Sequence, residues 1–430
     1  MTSNHVAPDE AFVWIWLPDA ANPIVAGRIE RVADRYMFNY GRSYLATDNA
    51  IPIYDPELPF RAGEIEPIAP LTIANALRDA APDAWGRRVI INRLTGATGQ
   101  VGDPADFDEL TFMLLSGSDR IGALDFQISA TEYVARERQN PTLDELQQSA
   151  EMVEAGIPMT PALAAALEHG TAIGGARPKA LIDDSDRKYI AKFSSSNDTY
   201  SVVKGEYVAM RLAALCGLNV APVKLTKAMN KDVLLIERFD RIKSENGWRR
   251  KSIVSALTMF GLDEIMAAHA SYPELAELIR SRFSDPKRTL HELFGRMVFN
   301  ILVGNTDDHA RNHAAFWDGN QLALTPAYDI CPQSRTGREA SQAMLICGGE
   351  RRSQLLHCLT TAGAFHLSDD EALAIMKSQT KTVNENWLSL CHQAGLTEVD
   401  QKFFWRRQFL NDLAFEGMET HLAEALAGLS

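Results

Sequence analysis

Cysteine is scarce in this chain of 430 residues: five are present, at 216, 331, 347, 358 and 391, an odd number with no CxxC pair among them. That excludes a disulfide framework and argues against a zinc knuckle, so a reducing compartment is expected, the cytoplasm by default. Long apolar runs are also missing. No stretch reaches the roughly 18 to 20 residues needed to span a bilayer, and the start MTSNHVAPDE has neither the basic flank nor the apolar core of a secretory signal, so no membrane is expected. Positive charge is in short supply, with 43 Lys and Arg against 56 Asp and Glu and a formal net charge of −13. A chain so balanced does not grip a phosphate backbone by itself, and DNA is expected to be reached only through another protein. The basic clusters WRRK at 248–251 and WRRQ at 405–408 read as solvated faces. Internal repeats and low-complexity tracts are absent as well.

With 46% hydrophobic and 23% charged residues, the chain is long enough for two or three cores. Its first 60 residues alternate at period two in FVWIWL, RYMFNYGRSYL and IPIYD, which predicts a small antiparallel sheet. Helical spacing takes over from about residue 72 in TIANALRDAAPDAWGRRVIINRL and continues through GDPADFDELTFMLL, completing an N-terminal subdomain over 1–135. Residues 136–150 are polar and read as a connector into a helix. A glycine-rich turn, TAIGGARPKA, then precedes the strands KALIDD and KYIAKFS, the helix VKGEYVAMRLAALCG, and further strands in NVAPVKLTKA and DVLLIERFD. This stretch, 136–239, forms a second region. From 240 to 430 the pattern is mainly helical, apart from a hairpin in AAFWDGNQLAL whose DG and GN pairs mark the turn.

Residues 305–312, NTDDHARN, crowd charge and carboxamides directly after the apolar run LFGRMVFNILVG, far beyond what capping a helix requires. Asp307 and Asn312 have the spacing of a phosphotransferase catalytic loop, in which an Asp orients the acceptor hydroxyl and takes its proton while an Asn five positions on ligates Mg²⁺. Asp329, in TPAYDI after the hairpin, is placed to be the second metal ligand. Asn312 and Asp329 would supply the oxygen donors a hard cation prefers. Lys192 ends the strand YIAK, and Glu206 follows on a helix, so the two could pair as the phosphate-binding lysine and its brace. IGGARPK offers small residues whose amides could approach phosphates, although it is neither GxGxxG nor a Walker loop. Any one of these is weak: a D-x4-N spacing recurs by chance, and a GG pair is usually a turn. Their order along the chain carries the reading. A metallohydrolase built on Asp307, His309 and His313 competes, but leaves Lys192, Gly174 and Gly175 unused.

RDAAPDAWGRRVI at 78–90, GGARPKALI at 174–182, IAKF at 190–193, LLIERFDR at 234–241, GNTDDHARNHAAF and LTPAYDI together resemble the HipA-type serine/threonine kinases, the toxin halves of bacterial toxin–antitoxin pairs, over nearly the whole chain. The resemblance implies an α+β, bilobal protein-kinase-like fold with an N-terminal β-rich subdomain and a mainly helical C-terminal lobe. It implies Mg·ATP as cofactor and a protein substrate, an aminoacyl-tRNA synthetase in several members. It makes Asp307 the base, Asn312 and Asp329 the Mg²⁺ ligands, and Gly174, Gly175, Ala176, Arg177, Pro178 and Lys179 the nucleotide loop. Lys192 would contact phosphates, Glu237, Arg238 and Phe239 would form the hinge beside adenine, and His309, Ala310, Arg311 and Tyr328 would complete the ATP pocket. A helix-turn-helix antitoxin that binds DNA is the implied partner. One position departs: family members often carry an autophosphorylated serine two residues before the position of Gly174, where this chain has Ala172. Thr171 is then the candidate for that modification, unless regulation lies elsewhere or the alanine is an engineered change. Two other classes stay open on sequence alone, a nucleotide-binding antitoxin partner acting in promoter repression and a small-molecule phosphotransferase.

Overall fold

The computed structural model describes residues 8–95, 107–136, 141–157, 177–195, 197–335 and 339–418, together with Met159, Leu163, Leu167 and Gly337. They divide into two compact units that alternate along the chain. Met1–Ser196, Thr226–Val254 and Phe316–Asn320 make the first, and Asn197–Leu225, Ser255–Ala315 and Gln321–Ser430 the second.

In the first unit, β1 (Glu10–Ile15), β2 (Ile24–Val32), β3 (Arg35–Tyr40), β4 (Glu64–Ile65) and β5 (Leu124–Gln127) form an antiparallel sheet of order β4-β3-β2-β1-β5. β1, paired on one side with β2 and on the other with β5, is buried almost throughout, in keeping with its apolar residues. The expected strand IPIYD is not one. Tyr40 and Tyr44 do the work of a neighbouring strand there: the Ile53 N–H donates to Tyr40 Oη at 2.9 Å, and Tyr44 Oη donates to the Ile51 carbonyl at 2.7 Å. β2, interrupted by Arg28, Glu30 and Arg31, takes its place in the sheet.

A second sheet follows, with β6 (Lys179–Asp183), β7 (Lys188–Phe193), β8 (Val223–Ala228) and β9 (Lys231–Glu237) in the order β6-β7-β9-β8. One face carries Ala180, Ala191, Phe193 and Val233, which pack on Trp85 and Val89 of the Ala84–Thr95 helix and on Leu146, Ala150 and Val153 of the Leu143–Glu154 helix. That second helix starts at a capping box: Thr142 accepts from the Glu145 N–H, and the Glu145 carboxylate accepts from the Thr142 N–H. Beyond β9, where a mainly helical pattern with one hairpin is expected, β10 (Arg241–Ser244), β11 (Gly247–Arg250) and β12 (Ser252–Ser255) are additional short strands. Arg241 and Arg250 stand at buried positions where a strand pattern calls for apolar residues.

The second unit is mainly helical, with Val202–Leu215, Tyr272–Arg282, Pro286–Leu302 and Asp369–Ala394 as its long helices. Pro286 opens its helix at the one place where a missing N–H costs nothing, next to Asp285, whose carboxylate accepts from the Arg288 N–H. Leu293, Phe294, Met297, Val298 and Ile301 of that helix are fully buried, and it delivers the chain directly to Gly304.

Candidate catalytic site

Gly304 turns the chain out of the helix at φ +68°, and a Cβ here would lie 2.7 Å from the Gln408 carbonyl oxygen, so both conformation and space demand glycine. Asn305 then folds back on the helix end, its N–H donating to the Asn300 carbonyl at 2.9 Å and its Nδ2 to Asn300 Oδ1 at 3.0 Å. One member of NTDDHARN, Asn305, is thus scaffold. Asp308 is a second: it is buried, its Oδ1 is 2.9 Å from His313 Nε2, and its Oδ2 accepts from Tyr272 Oη. Burial works to raise the Asp308 pKa, but His313 and the hydrogen bonds from His313 and Tyr272 outweigh it and hold the carboxyl below its ordinary value. His313 thus turns its Nε2 to Asp308, and among the described residues no group of three or more His, Cys, Asp or Glu is placed to hold a metal ion.

Asp307, by contrast, is exposed. Its pKa is raised, first by the enclosure of the loop and then by the neighbouring charges of Asp329 and Asp308, with His309 pulling the other way. Asn312 closes the loop: its Nδ2 donates to the Asp307 carbonyl at 2.9 Å, which leaves Oδ1 as the pole presented to a ligand. Asp329 is held at φ +58°, a left-handed conformation that a non-glycine residue adopts at a cost of about 1 kcal/mol or more. Tyr328, beside it, donates from Oη to the Arg311 carbonyl at 2.7 Å and so ties the Asp329 segment to the loop. Asp307, whose ionisation the Asp329 charge opposes, Asp329 itself and the Asn312 carboxamide oxygen are an all-oxygen donor set that fits Mg²⁺. Ala310 is buried in the short turn Ala310–Asn312, and Arg311 points its guanidinium to Glu264 at 2.7 Å. The Nδ1 of His309 is shielded with no hydrogen-bond partner among the described residues.

Lys179 and Lys192 are direct cross-strand partners in the first unit, both buried and on one face of the sheet. Leu181, Ile190, Leu234 and Ile236 share that face by the strand register, which makes an apolar floor with two ammonium groups at one end. Lys179 lies 3.6 Å from Asp83, and the Trp85 Nε1 donates to the Lys179 carbonyl at 3.1 Å. PDAW at 82–85 therefore serves to seat the first strand after the glycine loop. Pro178 is buried and its carbonyl accepts from the Phe193 N–H at 3.0 Å. Gly174, Gly175, Ala176 and Thr171, with Ala172, lie outside the described residues; Arg177 is described and half-buried. Lys192 belongs to the first unit and Glu206, buried on its helix, to the second.

At the hinge segment, Glu237 pairs with Arg187 and Phe239 meets Phe316 edge-on with ring centroids 5.9 Å apart. Arg238 differs from expectation: its N–H donates to the Lys188 carbonyl at 2.8 Å, and its fully buried guanidinium turns to Asp119 at 3.0 Å and Asp240 at 2.8 Å. Arg241 and Lys188 converge on the same Asp119, each with a shortest contact of 2.7 or 2.8 Å. Sequence reasoning missed Asp119 entirely, since SGSDRIG looks like a polar loop; its two arginine partners lie more than 100 residues away in ERFDR.

A family model described as the HipA-like C-terminal domain matches residues 171–387, and one described as the HipA N-terminal domain matches residues 19–127. A protein of Sinorhizobium fredii that bears the name "Putative kinase Y4mE" is 26% identical over 315 residues, covering 68% of this chain and 71% of its own. The serine/threonine-protein kinase toxin HipA of Shewanella oneidensis is 27% identical over 159 residues, 33% of this chain and 36% of that protein. Among solved structures, the HipA of the Shewanella oneidensis MR-1 toxin–antitoxin complex with HipB and operator DNA superposes with a TM-score of 0.69 at 16% identity, over 97% of each chain. At that identity the likeness is one of fold, α+β and kinase-like.

Proposed function

This chain belongs to the HipA-like family of kinases, and on that premise we propose that it is a Mg·ATP-dependent serine/threonine protein kinase and the toxin of a toxin–antitoxin pair. The observation that carries the reading is the loop itself: of its two adjacent aspartates, one is spent on His313 and Tyr272, while the other is exposed beside Asn312 and Asp329. Asp307 would orient the acceptor hydroxyl and take its proton as the phosphoryl group leaves the nucleotide. Asn312 and Asp329 would hold Mg²⁺, which when bound neutralises charge on the phosphate oxygens. The nucleotide would lie on the Lys179 and Lys192 side of the second sheet, its phosphates at the two ammonium groups and the loop at 174–179, its base near 237–239. Arg238 contributes there as the anchor of the hinge strand, with its side chain and N–H both engaged elsewhere. Residues 136–239 and 240–430 would be the two kinase lobes and 1–135 the added subdomain, with Glu206 bracing Lys192.

The acidic balance of the chain supports a partner that carries any contact with DNA, and a helix-turn-helix antitoxin of the kind bound to the Shewanella structure is that partner. The acceptor is a translation component such as an aminoacyl-tRNA synthetase, and the working compartment the cytoplasm; among the described residues no helix is long and apolar enough to cross a membrane. Intact mass after incubation with Mg·ATP, alone and with candidate synthetases, tests the reading. One phosphate gained by chain or synthetase, and absent with Asp307→Asn while ATP still binds, is the expected result. Equal transfer by the variant would remove Asp307 from its role.

A further inference from the structure

The segment after Asp329 buries a positive charge that nothing among the described residues answers. All three guanidinium nitrogens of Arg335 are shielded from solvent, and none has a hydrogen-bond partner among the described residues. Burial pushes its pKa down from the ordinary value, and no carboxylate among the described residues acts against that shift. An arginine stays protonated even so. The other buried arginines among the described residues are all answered: Arg120 by Asp125, Arg238 and Arg241 by Asp119 and Asp240, Arg250 by the Ser118 carbonyl, and Arg296 by Glu292 and the carbonyls of Asn219 and Thr325.

The place of Arg335 in the fold narrows what could answer it. The Gln333 N–H donates to the Gly304 carbonyl at 3.0 Å, and the Ala343 N–H donates to the Thr306 carbonyl at 3.1 Å. The segment therefore leaves the catalytic loop just before Asp307 and returns to it one turn of chain later. Arg335 stands two residues from the first stitch, within about 7 Å of Gln333 along the backbone. Gln342, next to the second stitch, has both its Nε2 and Oε1 buried without a partner among the described residues. A planar fork of N–H donors matches two oxygens of a phosphate, and a dianion offsets a buried cation where a water molecule would not.

We propose that Arg335 is a phosphoryl-binding residue, receiving the oxygens of a phosphate group held beside the catalytic loop. The site rests on the kinase reading for the source of that phosphate, which is either the terminal phosphate of the nucleotide or a phosphorylated side chain of this protein.

Melting of the full-length chain separates the cases, using wild type, Arg335→Met and Arg335→Lys, each without ligand, with inorganic phosphate, with Mg·ADP, with Mg·ATP, and after autophosphorylation verified by intact mass. Without ligand, Arg335→Met melts about 2 to 4 °C above wild type, because an unanswered charge has gone. Its affinity for the phosphate source falls at least tenfold, and Arg335→Lys lies between, keeping the charge but not the fork. Weakened ATP binding with ADP binding intact identifies the nucleotide as the source. Unchanged nucleotide binding, with a rise in melting on autophosphorylation that only wild type shows, identifies the protein-borne phosphate. If wild type transfers no phosphate yet inorganic phosphate raises its melting and not that of Arg335→Met, the site stands and the kinase reading falls. The proposal is overturned if both variants melt below wild type without ligand, or if every ligand and modification shifts all three proteins alike.

Discussion

Replacing Asp119 with asparagine removes the charge of a carboxylate that three buried cations of the first unit share. Its Oδ1 accepts from Arg238 Nη1 at 3.0 Å and from Arg241 Nε and Nη2 at 3.0 and 2.8 Å, while its Oδ2 accepts from Lys188 Nζ at 2.7 Å. After the change, Asp240 alone faces the two guanidinium groups, and Lys188 keeps only Asp183. Leaving a buried charge without its partner costs about 3 to 5 kcal/mol, a large part of the roughly 5 to 15 kcal/mol that holds a protein folded. We expect a loss of about 4 kcal/mol at neutral pH, read as urea-induced unfolding with hydrogen exchange followed on the amides of β9 to β11. The pH dependence has a definite sign. Burial works to raise the Asp119 pKa, yet Arg238, Arg241 and Lys188 outweigh it and hold the carboxyl well below its ordinary value. A folded-state pKa below the unfolded one contributes stability that is present above about pH 4 and lost as the pH falls through the folded value. The advantage of wild type over Asp119→Asn is therefore flat from about pH 5 to 8 and shrinks only in stronger acid. A loss under about 1 kcal/mol, or one that widens on acidification, would refute the assignment of this carboxylate as the counter-charge of the cluster.

Glu57 titrates in the opposite sense. It is buried, its Oε2 accepts from the Ala76 N–H at 2.8 Å, and burial pushes its pKa up to about 8. Wild type should then lose up to about 1.4 kcal/mol per pH unit as the pH rises from about 4.5 toward 8, and Glu57→Gln should flatten that slope and gain stability at pH 8; denaturant midpoints across this range decide it. Gly304→Ala places a Cβ against the Gln408 carbonyl at a positive φ, so melting should drop by several degrees and phosphoryl transfer at least tenfold with ATP affinity retained. Calorimetry and initial rates report both effects, and an active, undisturbed alanine variant would show that the loop does not depend on this turn.

Much of the second sheet was legible because local rules suffice there. KALIDD and KYIAKFS are strands joined by DSDR, and VKGEYVAMRLAALCG is a helix, since period and turn residues agree with the tertiary packing. The candidate site rests on a different signal, the fixed offset from Asp307 to Asn312 and onward to Asp329. What escaped was whatever depends on distant partners. IPIYD looks like a strand until Tyr40 and Tyr44 are seen to serve its backbone. RIKS and GWRR look like solvated chain until Asp119 is seen to answer Arg241, and the Ser118 carbonyl to accept from Arg250 at 2.9 Å. In NTDDHARN itself the pattern singles out Asp307 by spacing, but only packing reveals that Asp308 is the scaffold for His313 and Tyr272.

The interleaving of the two units along the chain sets a clock on the ribosome. Ser196 ends the long opening stretch of the first unit, but that unit is incomplete until Asn320 has been made, because Thr226–Val254 and Phe316–Asn320 belong to it. At about 5 to 20 residues per second, the wait between those points is roughly 6 to 25 s. Arg238, Asp240 and Arg241 emerge partway through it, so Asp119 and Lys188 spend the earlier seconds without them. A prematurely terminated product ending before residue 226 would carry Lys192 on a sheet lacking β9 and an ion cluster lacking its arginines. Such a product also lacks residues 305–329, so Lys192 and the pair Asn312 and Asp329 are together only in a chain that has grown past residue 329.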